Sequence, residues 1–322
     1  MNAKSHTTTT LDVPAEAVHI PVTRRVRRPS RRWKNLAVKL TFAGPGVLLL
    51  LVLSLYPMLI LAQMAFSDVT ITNILGEWPG VGLQNFAVVL GSSTFRAVAV
   101  QTLLFVAAIL ICTMAAGLFV ALCLRSSRGF SLVTQTMLIL VWTLPPVIVG
   151  SLWKFLLASN GAINYALVQI GAIDKPIPFL SQPSTGLTAI AAVTIWVGIP
   201  FAGLVIKSAV LDVPEDVLDA AKIDGASSTQ ILFRIVLPMI RPTLLILGVL
   251  IVVGAFKAFD LIYTMTRGGP GTASTTIPYL GYSTAFQTYQ FGQAGAISLV
   301  AMAIVLLLAV AYIFALRKED RS

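Results

Sequence analysis

Six long apolar segments restrict this chain to a membrane architecture. Each approaches the ~20 residues that an α-helix needs to cross the hydrocarbon core of a bilayer. The segments fall at about residues 42–65, 97–124, 132–156, 187–210, 243–265 and 292–316. We therefore predict an all-α, polytopic membrane protein with six transmembrane helices.

The composition agrees with this fold class and excludes an ordinary soluble domain. Of the 322 residues, 57% are hydrophobic and 11% are charged, whereas soluble domains carry roughly 25% charged residues. The net charge of +10 does not indicate a nucleic-acid-binding protein. Its positive residues flank the apolar segments, where they orient a membrane protein.

Prolines interrupt two of the apolar segments. Pro45 and Pro57 lie in the first segment, and Pro145 and Pro146 lie in the third. Because proline removes a backbone donor and clashes with the preceding helical turn, we expect kinks or breaks at these positions. Such breaks are tolerated in a membrane where neighbouring helices or water satisfy the freed carbonyl groups.

The distribution of lysine and arginine between the loops predicts the orientation of the chain. If the N-terminus is cytoplasmic, the outer side receives only Arg96, Lys154, Lys175 and Arg267. The inner side then receives the basic N-terminal run, Arg125, Arg128, Lys207, Lys222, Arg234, Arg241, Arg317, Lys318 and Arg321. Cytoplasmic loops of membrane proteins carry such an excess of positive charge. Both termini, and the loop that joins the fourth and fifth helices, are therefore predicted to be cytoplasmic.

Residues 1–38 differ in composition from the rest of the chain. Their polar, strongly basic sequence predicts a disordered cytoplasmic tail, followed by a transmembrane domain over residues 39–322. The charges either only enforce the topology or also contact anionic lipid headgroups, and both interpretations stay open. The basic region and the apolar run after it are too long for a cleaved signal peptide.

The loop between the fourth and fifth helices, residues 212–242, is the longest polar-rich stretch between apolar segments. Asp212 and Glu215 are spaced as a capping box, and Pro214 suits the first turn of a helix. Gly225 is expected to end that helix in a left-handed conformation, which a residue without Cβ adopts readily. The pattern thus predicts a short helix with a cap at each end.

A second short helix is predicted after Gly225, and it is expected to end at Leu237 and Pro238. Its apolar residues have helical spacing: Ile231, Leu232, Ile235 and Val236. On the first helix, a small and mostly apolar outward edge is predicted from Val217, Ala220, Ala221 and Asp224. Together the two helices are predicted to form a compact protrusion that another protein can bind.

The spacing within this loop resembles the EAA loop of binding-protein-dependent ABC-transporter permeases. The matching positions are Asp219, Ala220, Ala221, Gly225, Ile235, Leu237 and Pro238. Asp219 stands where the family usually has Glu, which keeps the charge and shortens the side chain by one methylene. The resemblance implies that these residues couple the chain to an ATPase. The small residues allow close approach, and the carboxylate can pair with a basic group of the partner.

Other stretches resemble the carbohydrate-importer branch of these permeases, the maltose and glycerol-phosphate permease-like proteins. They are Gly82–Phe86, Gly161–Asn164, Trp196, Phe259–Tyr263 and Gly268–Pro270. The resemblance runs from about Gly82 to the C-terminus. It implies three kinds of partner: a second homologous permease subunit, two cytoplasmic ATPase subunits and an extracytoplasmic substrate-binding protein.

The residues of catalytic and metal sites are missing from the apolar segments. The sequence contains no GxxxxGK[ST] phosphate loop, and its histidines, His6 and His19, lie in the tail. No pair of carboxylates in one segment suits acid–base catalysis. We therefore expect no enzyme activity, catalytic residue, metal site or bound cofactor in this chain. ATP and Mg²⁺ are expected on the partner subunits.

Lys257 and Asp260 are the informative charges within an apolar segment. On a continuous helix they share one face, and an unpaired charge at that depth costs roughly a few kcal/mol. They form either a structural ion pair or, together with Tyr263, the border of a translocation path. Gln101 and Trp196 are weaker candidates for that path, the latter because an aromatic ring can stack on a sugar.

The expected function is that of a permease subunit in a bacterial or archaeal cell membrane. It forms half of the translocation path of an ATP-driven importer for a di- or oligosaccharide or a sugar derivative. Within this class the alternative is a non-sugar substrate, such as glycerol phosphate, an amino acid or a polyamine. Outside it the alternative is a stand-alone secondary carrier, which needs an ion-coupling site.

Overall fold

The computed structural model describes residues 32–124 and 129–319, and within these ranges the regular secondary structure is helical apart from two isolated β-bridges. The helices are α1 (Arg32–Ala65), α2 (Gln84–Gly91), α3 (Ser93–Cys123), α4 (Gly129–Trp142), α5 (Pro146–Leu156), α6 (Ala162–Gln169), α7 (Gly186–Leu211), α8 (Glu215–Ile223), α9 (Ser228–Ile231), a π-helical turn (Leu232–Val236), α10 (Leu237–Met239), α11 (Arg241–Phe256), α12 (Phe259–Met265), α13 (Ile277–Phe286) and α14 (Phe291–Glu319). The chain divides into two compact units, Met1–Tyr56 and Pro57–Ser322. All features of the site lie in the second unit.

The N-terminal tail is described only in its last part. Helix α1 begins at Arg32, inside the stretch assigned to the tail, because Leu36, Ala37 and Lys39 are good helix formers. The rest of the predicted tail, together with Arg125, Arg128 and Arg321, lies outside the described residues.

Five stretches in the described ranges are long and apolar enough to cross a membrane. They are Ala43–Ala65, Ser93–Cys123, Gly186–Leu211, Arg241–Met265 and Phe291–Leu308. A bent pair, Leu132–Trp142 and Pro146–Leu156, makes a sixth span if the two arms are counted together. The all-helical, multi-pass fold is therefore confirmed.

The third apolar segment breaks where the sequence predicts. Helix α4 ends at Trp142, α5 begins at Pro146, and the two arms are bent by 96°. Pro145 has the extended conformation with φ −58° and ψ 134°. The two prolines supply no backbone donors, and each disfavours helix in the residue before it. In the first segment, by contrast, α1 continues through Pro45 and Pro57 without a break.

The fifth segment contains a break that no proline marks. Helix α11 ends at Phe256, and Ala258 adopts φ −72° and ψ 63° before α12 begins at Phe259. These angles are those of an inverse γ-turn, and the backbone N–H of Phe259 donates to Lys257 O at 2.7 Å. Lys257 and Asp260 therefore do not share a face of one continuous helix, and that premise of the sequence analysis is wrong.

Helices α3 and α7 form the closely packed centre of the second unit. A Cβ atom added at Gly117 would lie 2.7 Å from Cβ of Ala202, and one at Gly203 would lie 2.8 Å from Cγ1 of Val120. Real Cβ atoms do not approach so closely, so glycine at both positions permits the contact. Small residues that let backbones approach are typical of helix pairs in membranes.

A cluster of buried apolar side chains joins this pair to the loop after α7. Ile206 of α7, Leu218 of α8, Val236 of the π-helical turn and Leu247 of α11 all belong to it. The loop is therefore part of the packed core.

Candidate functional site

The loop of residues 212–242, called the coupling element after the role that the sequence predicts for it, begins differently from the sequence prediction. Asp212 ends α7 as its C-cap, while Pro214 is the N-cap of α8 and makes no side-chain cap. The predicted capping box of Asp212 and Glu215 is therefore wrong, because α7 extends far enough to include Asp212 in its own end. Glu215 and Asp216 still lie in the first turn of α8, where negative charge suits the helix dipole.

The C-terminus of α8 confirms the prediction for Gly225. Its φ is +78°, and its backbone N–H donates to Lys222 O at 3.1 Å while that of Ala226 donates to Ala221 O at 3.0 Å. These two hydrogen bonds define a Schellman motif, in which glycine occupies the left-handed position without a steric penalty. The end of α8 thus has a defined geometry.

A capping box does occur in the coupling element, at the start of α9. Backbone N–H of Gln230 donates to Oγ of Ser227 at 3.3 Å, and backbone N–H of Ser227 donates to Oε1 of Gln230 at 2.8 Å. The sequence pattern Ser-x-x-Gln is the signature of this motif. Together with the Schellman motif it makes the corner between α8 and α9 rigid.

The second predicted helix contains a π-helical turn, Leu232–Val236, and does not end at Leu237 and Pro238. Helix α10 carries the helical chain on to Met239, and α11 begins at Arg241. Proline is tolerated there because it lies in the first turn of α10. Val236 is buried, Ile235 and Leu237 are half-buried, and Pro238 is exposed.

The residues on the exposed face of α8 differ from those predicted. Leu218 and Ala221 are 5% and 8% exposed and face the core of the chain, so Ala221 does not belong to the free surface. Ala220 is exposed, and Ile223 is 87% exposed. Val217 is also exposed, which gives α8 a free face that is small and apolar.

A charged pair lies beside this apolar face. Nζ of Lys222 lies 2.8 Å from Oδ1 of Asp219, and about two-thirds of each side chain is exposed, 63% and 64% respectively. The carboxylate is thus held at the surface by a neighbour on its own helix. A cationic group of another protein can reach it there.

A central cavity of about 320 Å³ lies between α3, α7 and α11, at the hinge of α4 and α5. Most of its wall is apolar. Its polar groups come from Thr113, Thr194, Lys257 and Asp260. Ligand sites in proteins commonly combine apolar walls with a few polar groups that set orientation.

Lys257 and Asp260 both line this cavity and both are exposed in the isolated chain. Among the residues that the structure describes, no ion pair joins Lys257 to Asp260, and the ion pair of Lys222 with Asp219 lies elsewhere, on α8. The interpretation of Lys257 and Asp260 as a structural pair is therefore wrong. A γ-turn interrupts the helix between them, and both side chains line the cavity.

The other three path candidates lie away from the cavity. Nε2 of Gln101 donates to the carbonyl oxygens of Thr272 and Thr275, at 3.1 and 2.6 Å, and so holds the loop after α12. Trp196 packs edge-on against Trp153, with ring centroids 5.4 Å apart.

Tyr263, the third of these candidates, belongs to an aromatic cluster. Its ring lies 5.6 Å from that of Phe259 and 5.7 Å from that of Tyr282. Desolvation raises the pKa of Tyr282 above its ordinary value, and the neighbouring Tyr263 raises it further. The phenol of Tyr282 therefore stays protonated at physiological pH and can both donate and accept hydrogen bonds.

Sequence reasoning did not find the remaining cavity residues. Thr113 is 1% exposed, and its Oγ1 has no hydrogen-bond partner among the described residues. Trp142 and Phe201 stack on each other at the cavity wall, with ring centroids 5.4 Å apart. An apolar segment shows no periodicity that singles out one face, so nothing in the sequence marked these three side chains.

The fold is that of an ABC-transporter permease. Residues 113–318 match the family of binding-protein-dependent transport system inner membrane components. This match covers well over half of the chain, and the chain belongs to that family. It is therefore a multi-pass membrane protein and a transport subunit.

Two relatives are permease proteins of named transport systems. It is 31% identical over 250 residues to the trehalose/maltose transport system permease protein MalF of Thermococcus litoralis, covering 76% of this chain and 82% of the relative. It is 30% identical over 235 residues to the sn-glycerol-3-phosphate transport system permease protein UgpA of Agrobacterium fabrum, covering 71% and 78%.

A solved structure of an ABC transporter has the same fold. A chain of a bacterial ABC transporter involved in the import of the acidic polysaccharide alginate superimposes with a TM-score of 0.77 at 25% identity. The likeness covers 90% of this chain and 99% of the other. A related structure holds an alginate pentasaccharide-bound periplasmic protein in complex with the transporter, and there the TM-score is 0.73.

Proposed function

We propose that this chain is one of two permease subunits of an ATP-driven carbohydrate importer and forms half of its translocation path. One observation carries the proposal. The chain combines a central cavity among its spans with a rigid coupling element that is packed into the same core. Both termini and the coupling element face the cytoplasm, as the distribution of positive charge favours.

The coupling element supplies the contact with the ATPase. The free face of α8 offers Val217, Ala220 and Ile223 to a cleft of one ATPase subunit, and Asp219 exchanges Lys222 for a basic group there. ATP and Mg²⁺ bind on the ATPase subunits. Because Leu218 and Val236 anchor the element in the core beside α7, a displacement of α8 is transmitted to the spans and opens the path alternately to either side.

The cargo assignment rests on the chemistry of the cavity and on the relatives. A sugar presents apolar C–H faces together with hydroxyl groups, and the cavity offers apolar walls with Thr113, Thr194, Lys257 and Asp260. The ammonium group of Lys257 can donate to hydroxyl groups of the solute, and the carboxylate of Asp260 can accept from them, in charge-assisted hydrogen bonds. An extracytoplasmic binding protein delivers the solute, and a second permease completes the path.

A phosphorylated solute is the second candidate. The ammonium group of Lys257 can form an ion pair with a phosphate group. A glycerol-phosphate permease is among the relatives. Asp260 acts against this candidate, because its carboxylate repels a phosphate in the same cavity.

Two measurements test the proposal. The chain is purified in mild detergent from its native membrane, and co-purifying subunits are identified by mass. We expect a second permease and an ATPase. Uptake of radiolabelled maltose, trehalose, diacetylchitobiose and sn-glycerol 3-phosphate is then measured in cells with and without the gene.

The outcomes separate the alternatives. ATP-dependent uptake of a saccharide supports the proposal, whereas uptake of glycerol phosphate alone replaces the cargo assignment and leaves the coupling intact. A lone chain that transports without any ATPase contradicts the proposal and favours a secondary carrier. In that case Asp260 is the first residue to test for ion coupling.

A further inference from the structure

A hollow of about 580 Å³ lies between α3, α11 and α14, separate from the central cavity. The two have no lining residue in common. Helix α3 contributes Leu110, Ile111 and Met114, α14 contributes Leu308, and α11 contributes the other lining residues. Among the described residues that line this hollow, here called the α11 groove, only Arg241 has a polar side chain.

The residues of α11 in the groove form a straight stripe. It begins at Arg241 and continues through the pairs 244–245, 248–249 and 252–253, and this spacing keeps the residues on one face of a helix. At 1.5 Å per residue, the stripe is roughly 18 Å long. One leaflet accounts for half of the ~30 Å hydrocarbon core, about 15 Å. The groove therefore extends from the end of the span, at Arg241, across the depth of one leaflet.

Gly248 widens the middle of the groove. A Cβ atom added there would lie 3.7 Å from Cδ1 of Leu110, which is an ordinary contact. The packing of α11 on α3 thus does not require glycine at this position, in contrast to Gly117 and Gly203 at the contact of α3 with α7. The consequence of glycine here is free volume in the groove.

The size and lining of the groove suit a hydrocarbon chain. Ile111 is 67% and Leu308 39% exposed, so the groove is open at its side, and α11 belongs to a membrane span. Water finds no hydrogen-bond partners along an apolar lining. The volume and length give a mean cross-section of roughly 32 Å². A helix with its side chains is wider, with roughly 80–110 Å², so the groove suits a single extended acyl chain.

Arg241 favours an anionic headgroup on that chain. It is exposed and is the first residue of its span, which is the level of the phospholipid headgroups. A guanidinium group binds phosphate through two parallel hydrogen bonds, and basic residues at the ends of spans attract anionic lipids. In a zwitterionic lipid, the positive amine of the headgroup opposes this contact. The apolar stripe and the arginine at its end therefore match the two parts of an anionic phospholipid.

We propose that the α11 groove binds one acyl chain of an anionic phospholipid, whose phosphate pairs with Arg241. The lipid fills the space beside Gly248 and connects α3, α11 and α14 within one leaflet. This site lies apart from the central cavity and is independent of the solute that the chain transports.

Photoactivatable lipids test the site in the complete transporter. The transporter is purified with its other subunits and reconstituted in nanodiscs of phosphatidylcholine. Each sample receives a trace of phosphatidylglycerol or phosphatidylcholine with the same acyl chains, one of which carries a diazirine at its middle. After irradiation, labelled residues are identified by mass spectrometry of peptides. We expect phosphatidylglycerol to label residues 248–253 roughly fivefold more than phosphatidylcholine does, the factor for one basic residue near a membrane surface.

Substitutions of Arg241 test the contact with the headgroup. Arg241→Gln should remove the preference for phosphatidylglycerol, because the variant has no positive charge at the end of the stripe. Arg241→Lys keeps the charge and should keep most of the preference. Arg234→Gln is the matched control, since Arg234 is also exposed and does not line the groove. Its preference should equal that of the unaltered chain.

A substitution of Gly248 tests the position of the acyl chain. Gly248→Leu places a side chain in the middle of the groove and should lower the labelling of Val252 and Val253 by both lipids severalfold. Gly46→Leu, at an exposed glycine of α1 with open surroundings outside the groove, is the control and should leave this labelling unchanged. If Gly248→Leu does not assemble, the comparison of Arg241→Gln with Arg234→Gln decides alone.

Three results overturn the proposal. Equal labelling of the groove by the two lipids in the unaltered transporter rejects the selection of an anionic headgroup. A preference that persists in Arg241→Gln rejects the pairing with Arg241. If neither lipid labels the groove while both label an exposed residue outside it, such as Leu104, another subunit covers the groove and the lipid site is rejected.

Discussion

Oδ1 of Asp219 and Nζ of Lys222 lie 2.8 Å apart on the exposed surface of α8. An exposed pair of this kind on one helix contributes only about 0.3–0.5 kcal/mol to stability. The contact therefore adds little to the stability of the fold. It orients the carboxylate of Asp219 at the surface, where a basic group of another protein can replace Lys222 as its partner. Any larger effect of Asp219 must come from a partner protein.

Replacement of Asp219 should separate coupling from folding. We expect Asp219→Asn to change the free energy of unfolding by less than about 0.5 kcal/mol, because the pair is exposed. Solute uptake should fall while the amount of chain in the membrane is unchanged. Asp216→Asn, an exposed acid on the same helix, is the control and should transport normally. Equal uptake by both variants would remove Asp219 from the ATPase contact.

Gly225 tests the geometry of the α8 end. A Cβ at this position meets no atom within 4 Å, so Gly225→Val carries only the backbone cost of a positive φ, about 1–2 kcal/mol. We expect the variant to fold and to lose uptake and ATPase co-purification. Gly171→Val is a close match, with φ +70° and equally open surroundings, but it lies outside the coupling element. Loss of uptake in both variants would point to a general effect on folding.

Two neighbouring alanines distinguish the buried side of α8 from its free side. Ala221 is 8% exposed, so Ala221→Glu buries an unpaired carboxylate and should destabilise the chain by about 3 kcal/mol or more. Ala220→Glu lies on the exposed side and should leave the melting temperature unchanged while it weakens ATPase co-purification. Thermal melting and pull-down measured on both variants check this. The reverse pattern would mean that α8 is rotated.

Lys257 lacks an ion-pair partner among the described residues, so its removal should not damage the fold. We expect Lys257→Met to change stability by less than about 0.5 kcal/mol. Uptake should fall roughly ten- to hundredfold, the factor for one lost hydrogen bond to a charged group. Lys175→Met, in the loop after α6 and exposed, serves as the control. Unchanged uptake in Lys257→Met would exclude this residue from the solute path.

Three features that depend on local chemistry were predicted correctly from the sequence. The apolar segments, the break at Pro145 and Pro146, and the left-handed turn at Gly225 each follow from the residue itself. The break at Ala258 was not predictable, because no proline or glycine marks it. The buried side of α8 was also missed, since Leu218 and Ala221 are buried by contacts with elements distant in sequence.

The bent third span has a consequence for the assembly of the chain in the membrane. Each of its arms, Leu132–Trp142 and Pro146–Leu156, is roughly 16 Å long, about half of what a bilayer requires. The backbone at the bend needs protein neighbours, because lipid offers it no hydrogen bonds. The helices that pack on the arms, α7 and α12, are synthesised later. During biogenesis, the backbone at the bend must therefore be kept away from lipid until α7 and α12 have been synthesised and can pack on the two arms.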